Sequence, residues 1–407
     1  IFFRFTNFRR MPPSLMDLPA DALHYIDDYL RSPLFSHVCH RAWMELQGKH
    51  FNHHARTLPF DQKLTTLKHI AVGWHTVCLD FAGKEAKTEE LAELCVHAPS
   101  LHSLQMNLQK SQLGRGGAEG LNKLQFCYAL RTVHLNLCRA NLGEGGAKPL
   151  KALSECPNLH TVHLNLRANR LGAGDAAAIA TLRHVPYLHT LHLDMFNNQC
   201  GVRGAQALAH LKAAPLLRNL HLDMSCNALG TEGAQAIAAV AESSSLQALH
   251  LGLSGNQIGP QGTRELMALR SAPHLRVLRL FLGYNGIGPC GTQALADITH
   301  LGLLEALELS MCGNHLGPGG ARSLAALKQL AQLQRLDLDL SDNNLVASDA
   351  EALSELQEAA ALHTFRLNLS GNNSGVIPHG AKALQGLKES IPHFHLDVRL
   401  GQGSYWR

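Results

Sequence analysis

The sequence predicts an α/β solenoid, in which short strands and helices alternate along the chain and all strands join one parallel sheet. Two observations predict this fold. An apolar residue, almost always leucine, recurs at a constant 29-residue interval over most of the chain, as from Leu193 to Leu222 and from Leu222 to Leu251. Within each interval the apolar positions change from a period of two, typical of a strand, to a period of three or four, typical of a helix. The chain is therefore expected to be one array of repeats rather than several ordinary domains.

The register of the repeat is carried by one apolar position in each predicted strand. A first, less regular unit contains Leu79, and the regular array starts at the next register position. One strand and one helix cannot bury their apolar faces alone, so stability must come from stacking each unit on its neighbours. The register residues are Met106, Leu135, Leu164, Leu193, Leu222, Leu251, Leu280, Leu309, Leu338, Leu367 and Leu396.

Each unit follows one pattern, LxxLxLxLxxNxLGxxGAxALxxL, which is illustrated by residues 159–182. Its first part predicts the strand, its glycines predict a turn, and its last part predicts the helix. The pattern resembles the ribonuclease-inhibitor-like class of leucine-rich repeats over roughly residues 75–400. The resemblance implies a horseshoe with a parallel concave sheet and convex helices.

Two features of the unit make specific structural predictions. The strand segment of the resembling class is LxxLxLxxN, and the additional xL pair in this chain predicts a longer strand. An asparagine then recurs where the strand turns away, and its amide is expected to bond backbone groups of neighbouring units, forming a ladder along the stack. These asparagines are Asn169, Asn198, Asn227, Asn256, Asn285, Asn314, Asn343 and Asn372.

The side chains that flank each register leucine are expected to project onto the concave face, because side chains alternate along a strand. In five successive units the residue before that leucine is histidine, and parallel strands lie about 4.8 Å apart, so the imidazoles should form a column. We call this the histidine column; Asp194 and Asp223 lie beside it. Its members are His134, His163, His192, His221 and His250.

Three interpretations of the histidine column remain open from the sequence. Adjacent imidazoles have the chemistry to share a metal ion, although a column provides no closed tetrahedral ligand set. A surface that contacts a partner in a pH-sensitive way is the second, because close imidazoles resist charging together. The third is a neutral polar ladder without a binding role. We assign no metal and no cofactor, and we expect the column to belong to a partner-binding face.

Two aromatic residues are further candidates for that face. Phe281 is flanked across the predicted sheet by Gly252 and Ser310, and these small neighbours are expected to leave the ring exposed. Tyr284 follows three residues later in the same unit. Exposed aromatic side chains are common anchors of protein contacts. The alternative is that the following loop folds over both rings.

Composition and motifs exclude several classes of function. The chain has 36 basic and 32 acidic residues, mixed along its length, so nucleic acid is not an expected partner. The ten cysteines show no zinc-type spacing and predict reduced thiols, which favours the cytoplasm or nucleus. No run approaches the roughly 20 apolar residues of a membrane span. No catalytic motif is present, so we expect a protein that is not an enzyme.

Residues 15–46 precede the repeats and show apolar residues at helical spacing. This segment resembles an F-box, and the resemblance implies that it docks the adaptor of a cullin-type ubiquitin ligase while the horseshoe presents a substrate. The alternative is that its helices only cap the first repeat of a scaffold or accessory subunit of a large assembly. The residues that carry the resemblance are Leu18, Pro19, Leu23, Ile26, Val38, Cys39 and Trp43.

The sequence thus divides into four expected regions. Residues 1–10 are rich in Phe and Arg and are expected to be a leader or upstream extension, which leaves organellar import open. Residues 11–74 form the helical F-box-like or capping segment, residues 75–400 form the solenoid, and residues 401–407 form a C-terminal tail. The expected function is binding of a protein partner, as a substrate receptor or as a scaffold.

Overall fold

A computed structural model of the chain describes residues 49–54, 67–69, 71–373 and 384–397. Thirteen strands in these ranges form one open sheet whose order follows the chain from β1 to β13. Neighbouring strands pair in parallel and in register, as Leu222 of one strand with Leu251 of the next. The predicted α/β solenoid with a single parallel sheet is confirmed.

All thirteen strands have the same short length, and helical segments return the chain from the end of one strand to the start of the next. The strands are β1 (His50–His54), β2 (Thr76–Asp80), β3 (Ser103–Asn107), β4 (Thr132–Asn136), β5 (Thr161–Asn165), β6 (Thr190–Asp194), β7 (Asn219–Asp223), β8 (Ala248–Gly252), β9 (Val277–Phe281), β10 (Ala306–Ser310), β11 (Arg335–Asp339), β12 (Thr364–Asn368) and β13 (His393–Asp397).

The returning segments are α-helical in most units. The α-helices are α1 (Thr88–Val96), α2 (Ala173–Ile179), α3 (Gly201–Ala209), α4 (Gly230–Ala238), α5 (Gly259–Leu266), α6 (Gly288–Leu295) and α7 (Ala347–Ser354). Short 3-10 turns extend α2 to α7, at Ala180–His184, His210–Ala213, Ala239–Glu242, Met267–Ser271, Ala296–His300 and Glu355–Glu358. Another 3-10 turn at Ala71–Gly73 precedes β2, and residues 384–390 are helical before β13.

Three units carry only a 3-10 helix, at Glu119–Phe126, Lys148–Glu155 and Arg322–Gln329. Each of these follows two consecutive glycines, as at Gly145 and Gly146, and glycine is a poor helix former. A Cβ atom on Gly146 would lie 2.4 Å from the carbonyl oxygen of Leu142, so this tight turn requires glycine. The predicted helix is therefore replaced by a tighter one where the turn is richest in glycine.

The register leucines form the centre of the core, as predicted. From Leu79 to Leu367 each register residue is almost completely buried, and Leu222 has no exposed surface. Leu396 is half-buried because β13 is the last strand of the described sheet. The core is thus continuous from unit to unit.

The expectation of a longer strand is wrong. β4 ends at Asn136, but hydrogen bonding between units continues past it: the amide of Leu137 donates to the carbonyl of Asn165 (2.8 Å) and that of Arg139 to the carbonyl of Arg167 (2.9 Å). Arg139 has a φ of 53°, in the left-handed region, so the chain turns while it remains bonded. The additional xL pair adds buried leucine and inter-unit bonds without extending the strand.

The asparagine ladder is confirmed from Asn169 to Asn372. The Oδ1 atom of Asn256 accepts the amide of Asn227 (2.8 Å), and its Nδ2 atom donates to the carbonyls of Met224 (3.0 Å) and Leu253 (2.9 Å). The same bonds recur along the stack, for example from Asn285 to Asn314. Each side chain therefore satisfies buried backbone groups of its own unit and of the preceding one.

The sheet begins before the predicted start of the solenoid at residue 75. β1 pairs in parallel with β2, and His53 lies opposite Leu79. These two residues are closer together along the chain than the paired register residues of the regular units. The repeat pattern does not predict this strand, because the interval is shorter and the strand lacks a register leucine. Residues 50–54 of the predicted N-terminal segment therefore belong to the sheet.

Replacing Leu222 with alanine should lower the free energy of unfolding by about 2–5 kcal/mol, because a cavity opens between stacked units. Leu303 is 46% exposed, and the same change there should cost far less. Urea titration followed by circular dichroism measures both. Equal losses for the two variants would contradict the burial of the register position.

Candidate functional site

The concave face is formed by the side chains on either side of each register leucine. The residue before it and the residue after it both project away from the helices, because the register leucine itself points into the core. Strand pairing in register places equivalent residues of successive units side by side, as His192 beside His221. Rows of related side chains therefore cross the sheet at right angles to the strands.

The histidine column is a continuous stack of rings. The centroid distances are 4.2 Å from His134 to His163, 5.2 Å from His163 to His192, 3.7 Å from His192 to His221 and 3.7 Å from His221 to His250. The first three pairs are nearly parallel and the fourth is tilted by 41°. The strand spacing therefore brings the predicted residues into direct contact.

A shallow groove of about 260 Å³ runs beside the column on the concave face. The imidazoles form one side of it, and the smaller residues that begin the same strands form the other, including Thr190, Asn219 and Ala248. Arg279 lies at its end. This groove gives a partner access to the edges of half-buried imidazole rings.

The central imidazoles are held in the neutral form. Burial lowers the pKa of His192, whereas Asp194 and Asp223 act in the opposite direction. Burial, with help from the neighbouring imidazole of His192, lowers the pKa of His221 to about 4. Burial and the charges of His221 and Arg279 lower the pKa of His250 to about 3. Resistance to charging was predicted, but its main cause is desolvation rather than repulsion between imidazoles.

Stacked rings are poorly arranged to share a metal ion. The nitrogen lone pairs of parallel imidazoles lie in parallel planes, whereas tetrahedral ligands must point to one centre. In the part of the chain that the structure describes, no group of three or more His, Cys, Asp or Glu side chains is placed to hold a metal. We therefore assign no metal to the column.

Asp194 and Asp223 have structural bonds in addition to their place on the concave face. The Oδ1 atom of Asp194 accepts the amide of Phe196 (3.1 Å), and that of Asp223 accepts the amide of Ser225 (2.9 Å). Burial raises the pKa of Asp194, although Arg167 bonds its second oxygen at 3.2 Å. Each carboxylate thus fixes the turn that follows its strand and keeps some surface exposed.

Phe281 is half-buried rather than exposed as predicted. Its ring leans across the sheet and stacks on His250 at 4.8 Å, so it closes the histidine column. The space at Gly252 is occupied by a carboxylate, since a Cβ atom there would lie 2.4 Å from Oδ1 of Asp223. Tyr284 is 46% exposed and remains a candidate anchor.

Two ion pairs follow the column on the concave face and were not predicted. Arg279 pairs with Glu308 (3.2 Å), and Asp337 pairs with Arg366 (3.8 Å). These residues occupy the row of the histidines in later units, and the opposite charges of Arg279 and Glu308, and of Asp337 and Arg366, in adjacent units were the signal in the sequence. The concave face therefore changes from neutral rings to paired charges along the solenoid.

The F-box-like residues, Leu18 to Trp43, lie outside the described residues. In the ranges that the structure describes, no helix is long and apolar enough to cross a membrane.

Comparison with known families agrees with this geometry. The model of the family described as Leucine Rich repeat matches residues 218–238, which contain β7 and α4. The chain folds as a leucine-rich-repeat solenoid. No curated protein matches the chain. Leucine-rich-repeat solenoids typically act as binding scaffolds without enzymatic activity, and the fold therefore suggests a protein-binding role.

The free energy of unfolding should decrease as the pH falls from about 6.5 to 4. An unfolded imidazole titrates near pH 6.5, whereas folding holds His221 at about 4 and His250 at about 3. Between these pH values the unfolded chain therefore binds more protons than the folded chain, so a fall in pH favours the unfolded chain. Replacing His221 with glutamine should make the decrease shallower.

Urea midpoints measured at pH 7 and pH 4.5 test this expectation. The exposed His274 on a loop between helix and strand provides the control, and its change to glutamine should leave the pH dependence nearly intact. An identical effect of both variants would show that the histidine column is not the source.

Proposed function

We propose that the concave face binds a protein partner and that the histidine column is the centre of the contact. The observation that carries this proposal is the stack of five imidazoles closed by Phe281, half-buried beside an open groove. Desolvated, ring-rich surfaces with an accessible polar edge suit the centre of a protein interface. Each neutral imidazole supplies both a donor and an acceptor.

The rigidity of the scaffold supports this proposal. The sheet and the asparagine ladder fix the concave side chains before a partner arrives, so little conformational entropy is lost on binding. The polar half of the face beyond Phe281, with its Arg279–Glu308 pair, adds charged groups that select the orientation of the partner.

The finer proposal is that the chain is the substrate receptor of a cullin-type ubiquitin ligase, in the cytoplasm or nucleus. It rests on the F-box-like segment from Leu18 to Trp43, which would hold the adaptor while the concave face holds the substrate. Under the alternative, the same segment only caps the solenoid of a scaffold or accessory subunit. The two differ in whether the apolar side chains of that segment are reachable by an adaptor.

Replacing both His192 and His221 with alanine should weaken partner binding by at least about tenfold, because two central contacts are lost. His160 and His189 form a matched control, since they also stack, at 5.4 Å, but lie outside the column. Tagged full-length protein is used to capture partners from an extract of its source cells, and each partner is quantified. Partners retained equally by both double variants would contradict binding through the column.

The receptor proposal is tested with purified adaptor bound to its cullin. The full chain should retain this complex, and a variant with Leu18 and Pro19 changed to alanine should lose it while its circular dichroism spectrum and its concave-face partners stay unchanged. A full chain that never retains the adaptor would favour the scaffold.

A further inference from the structure

A cluster of basic side chains lies along the edge of the solenoid where β3, β4 and β5 end and the loops lead to the helices. We call it the basic rim. All of its members are exposed except Arg167, which is half-buried. The basic rim consists of Lys110, Arg115, Arg139, Lys148, Arg167 and Arg170.

Stacking brings these charges together, although they come from three separate repeats of the sequence. The amide of Lys110 donates to the carbonyl of Cys138, and that of Arg139 donates to the carbonyl of Arg167, both at 2.9 Å. Successive positions are therefore one strand spacing apart, about 4.8 Å. Arg115 and Lys148 also converge, since a Cβ atom on Gly145 would lie 3.6 Å from Nη2 of Arg115 and 3.7 Å from Cε of Lys148.

Most of this charge has no carboxylate partner. Some basic side chains on other surfaces are paired, as Lys328 with Glu358 (2.8 Å) and Lys212 with Glu242 (2.6 Å), whereas others in the described ranges, such as Lys151 and Arg218, also lack a carboxylate partner. Of the basic rim, within the residues that the structure describes, only Arg167 pairs with a carboxylate, that of Asp194.

Four nearby acidic residues cancel only part of the charge of the rim. Asp175 is buried, and its oxygens accept the amides of Gly145 and Ala147, each at 2.8 Å. Glu119 and Glu144 are exposed, so with Asp175 and the Asp194 carboxylate bonded to Arg167 there are four carboxylates against six basic groups. The rim therefore has a local excess of positive charge.

The excess is most concentrated in the three units of β3, β4 and β5. The position of Lys110 and Arg139 is occupied in later units by residues such as Gly255, Gly313 and Asp342. At this position the side chains therefore change from basic to mostly neutral along the stack, whereas the position of Lys148 is again basic at Arg264 and Arg322. This segregation is hidden in the sequence because the basic residues occupy different positions of the repeat.

We infer that the basic rim docks an acidic segment of a protein partner. Exposed guanidinium and ammonium groups that face solvent without partners are complementary to a run of carboxylates. Arg167 bonds Asp194 of the concave face, but Lys110, Arg139 and Arg170 lie outside the histidine column, so changing these three residues tests the rim independently of the proposed concave contact.

The size of the basic rim favours a short peptide over other polyanions. Three units span roughly 15 Å, the length of about four or five extended residues. DNA-binding proteins commonly contact about 6–10 phosphates, which needs a longer track.

The backbone permits a test that removes charge with little strain. Lys110, Arg139 and Arg170 have φ values of 57°, 53° and 58°, in the left-handed region that asparagine tolerates better than long side chains. Other units hold Asn197 at the position of Lys110 and Arg139, and Asn141 at that of Arg170, also with left-handed φ. The triple change to asparagine should therefore fold normally.

The probe is a fluorescein-labelled peptide of eight glutamates, and its binding to the full chain is followed by fluorescence anisotropy. At about 25 mM salt the unmodified protein should bind it, and about 200 mM salt should weaken binding because screening increases. The triple asparagine variant should lose roughly tenfold in affinity, since each exposed ion pair contributes a factor of about 1.5 to 5. The peptide should also protect Lys148 from amine labelling but not Lys151.

A control variant removes three charges elsewhere: Lys151, Arg218 and Lys388 are each changed to glutamine, and its affinity should stay within about twofold of the unmodified protein. Equal weakening by both variants would overturn the inference, because it would reflect net charge alone. Absence of binding at low salt would also overturn it. Tighter binding of an RNA octamer or of vesicles with phosphatidylserine, lost in the triple asparagine variant, would replace the acidic peptide with that partner.

Discussion

The asparagine ladder is the constraint on which the rest of the structure depends. Each turn after a strand leaves backbone amides and carbonyls inside the stack, where water cannot reach them, and an unpaired group there costs about 1–3 kcal/mol. Asn256 bonds groups of its own unit and of the unit before it, and every member of the ladder repeats this arrangement. The ladder therefore fixes the distance and register between units, because no other placement satisfies the same groups.

The chemistry of the concave face follows from that fixed spacing. Identical side chains at one position of the repeat are held one strand spacing apart. Five successive histidines at that position therefore stack on one another. Stacking hides part of each ring from water, and the buried rings lose the solvation that a charge would need. Three imidazoles that are usually pH-sensitive, those of His192, His221 and His250, are thereby held neutral, with a pKa as low as about 3 at His250.

The same spacing distributes charge over the remaining surfaces. Opposite charges one unit apart pair across the stack, as Arg279 with Glu308, and contribute little net field. Where the sequence places Lys110, Arg139 and Arg170 in successive units and basic residues outnumber acidic ones, the excess charge remains available to a partner. A regular solenoid therefore creates two kinds of surface from one repeat: a neutral concave face at the centre and a basic rim at one edge.

The sequence by itself determined the architecture, because the 29-residue register of buried leucines and the recurring asparagine each have one stable arrangement. It also determined the members of the histidine column, because side chains alternate strictly along a strand. It could not reveal β1, which lacks a register leucine, or the short strand length, which depends on the left-handed turn at residues such as Arg139. The tertiary structure alone decided the lean of Phe281 onto His250 and the convergence of Arg115 with Lys148. Both contacts depend on the way in which large side chains pack into the space between units. That space exists only after the units have stacked.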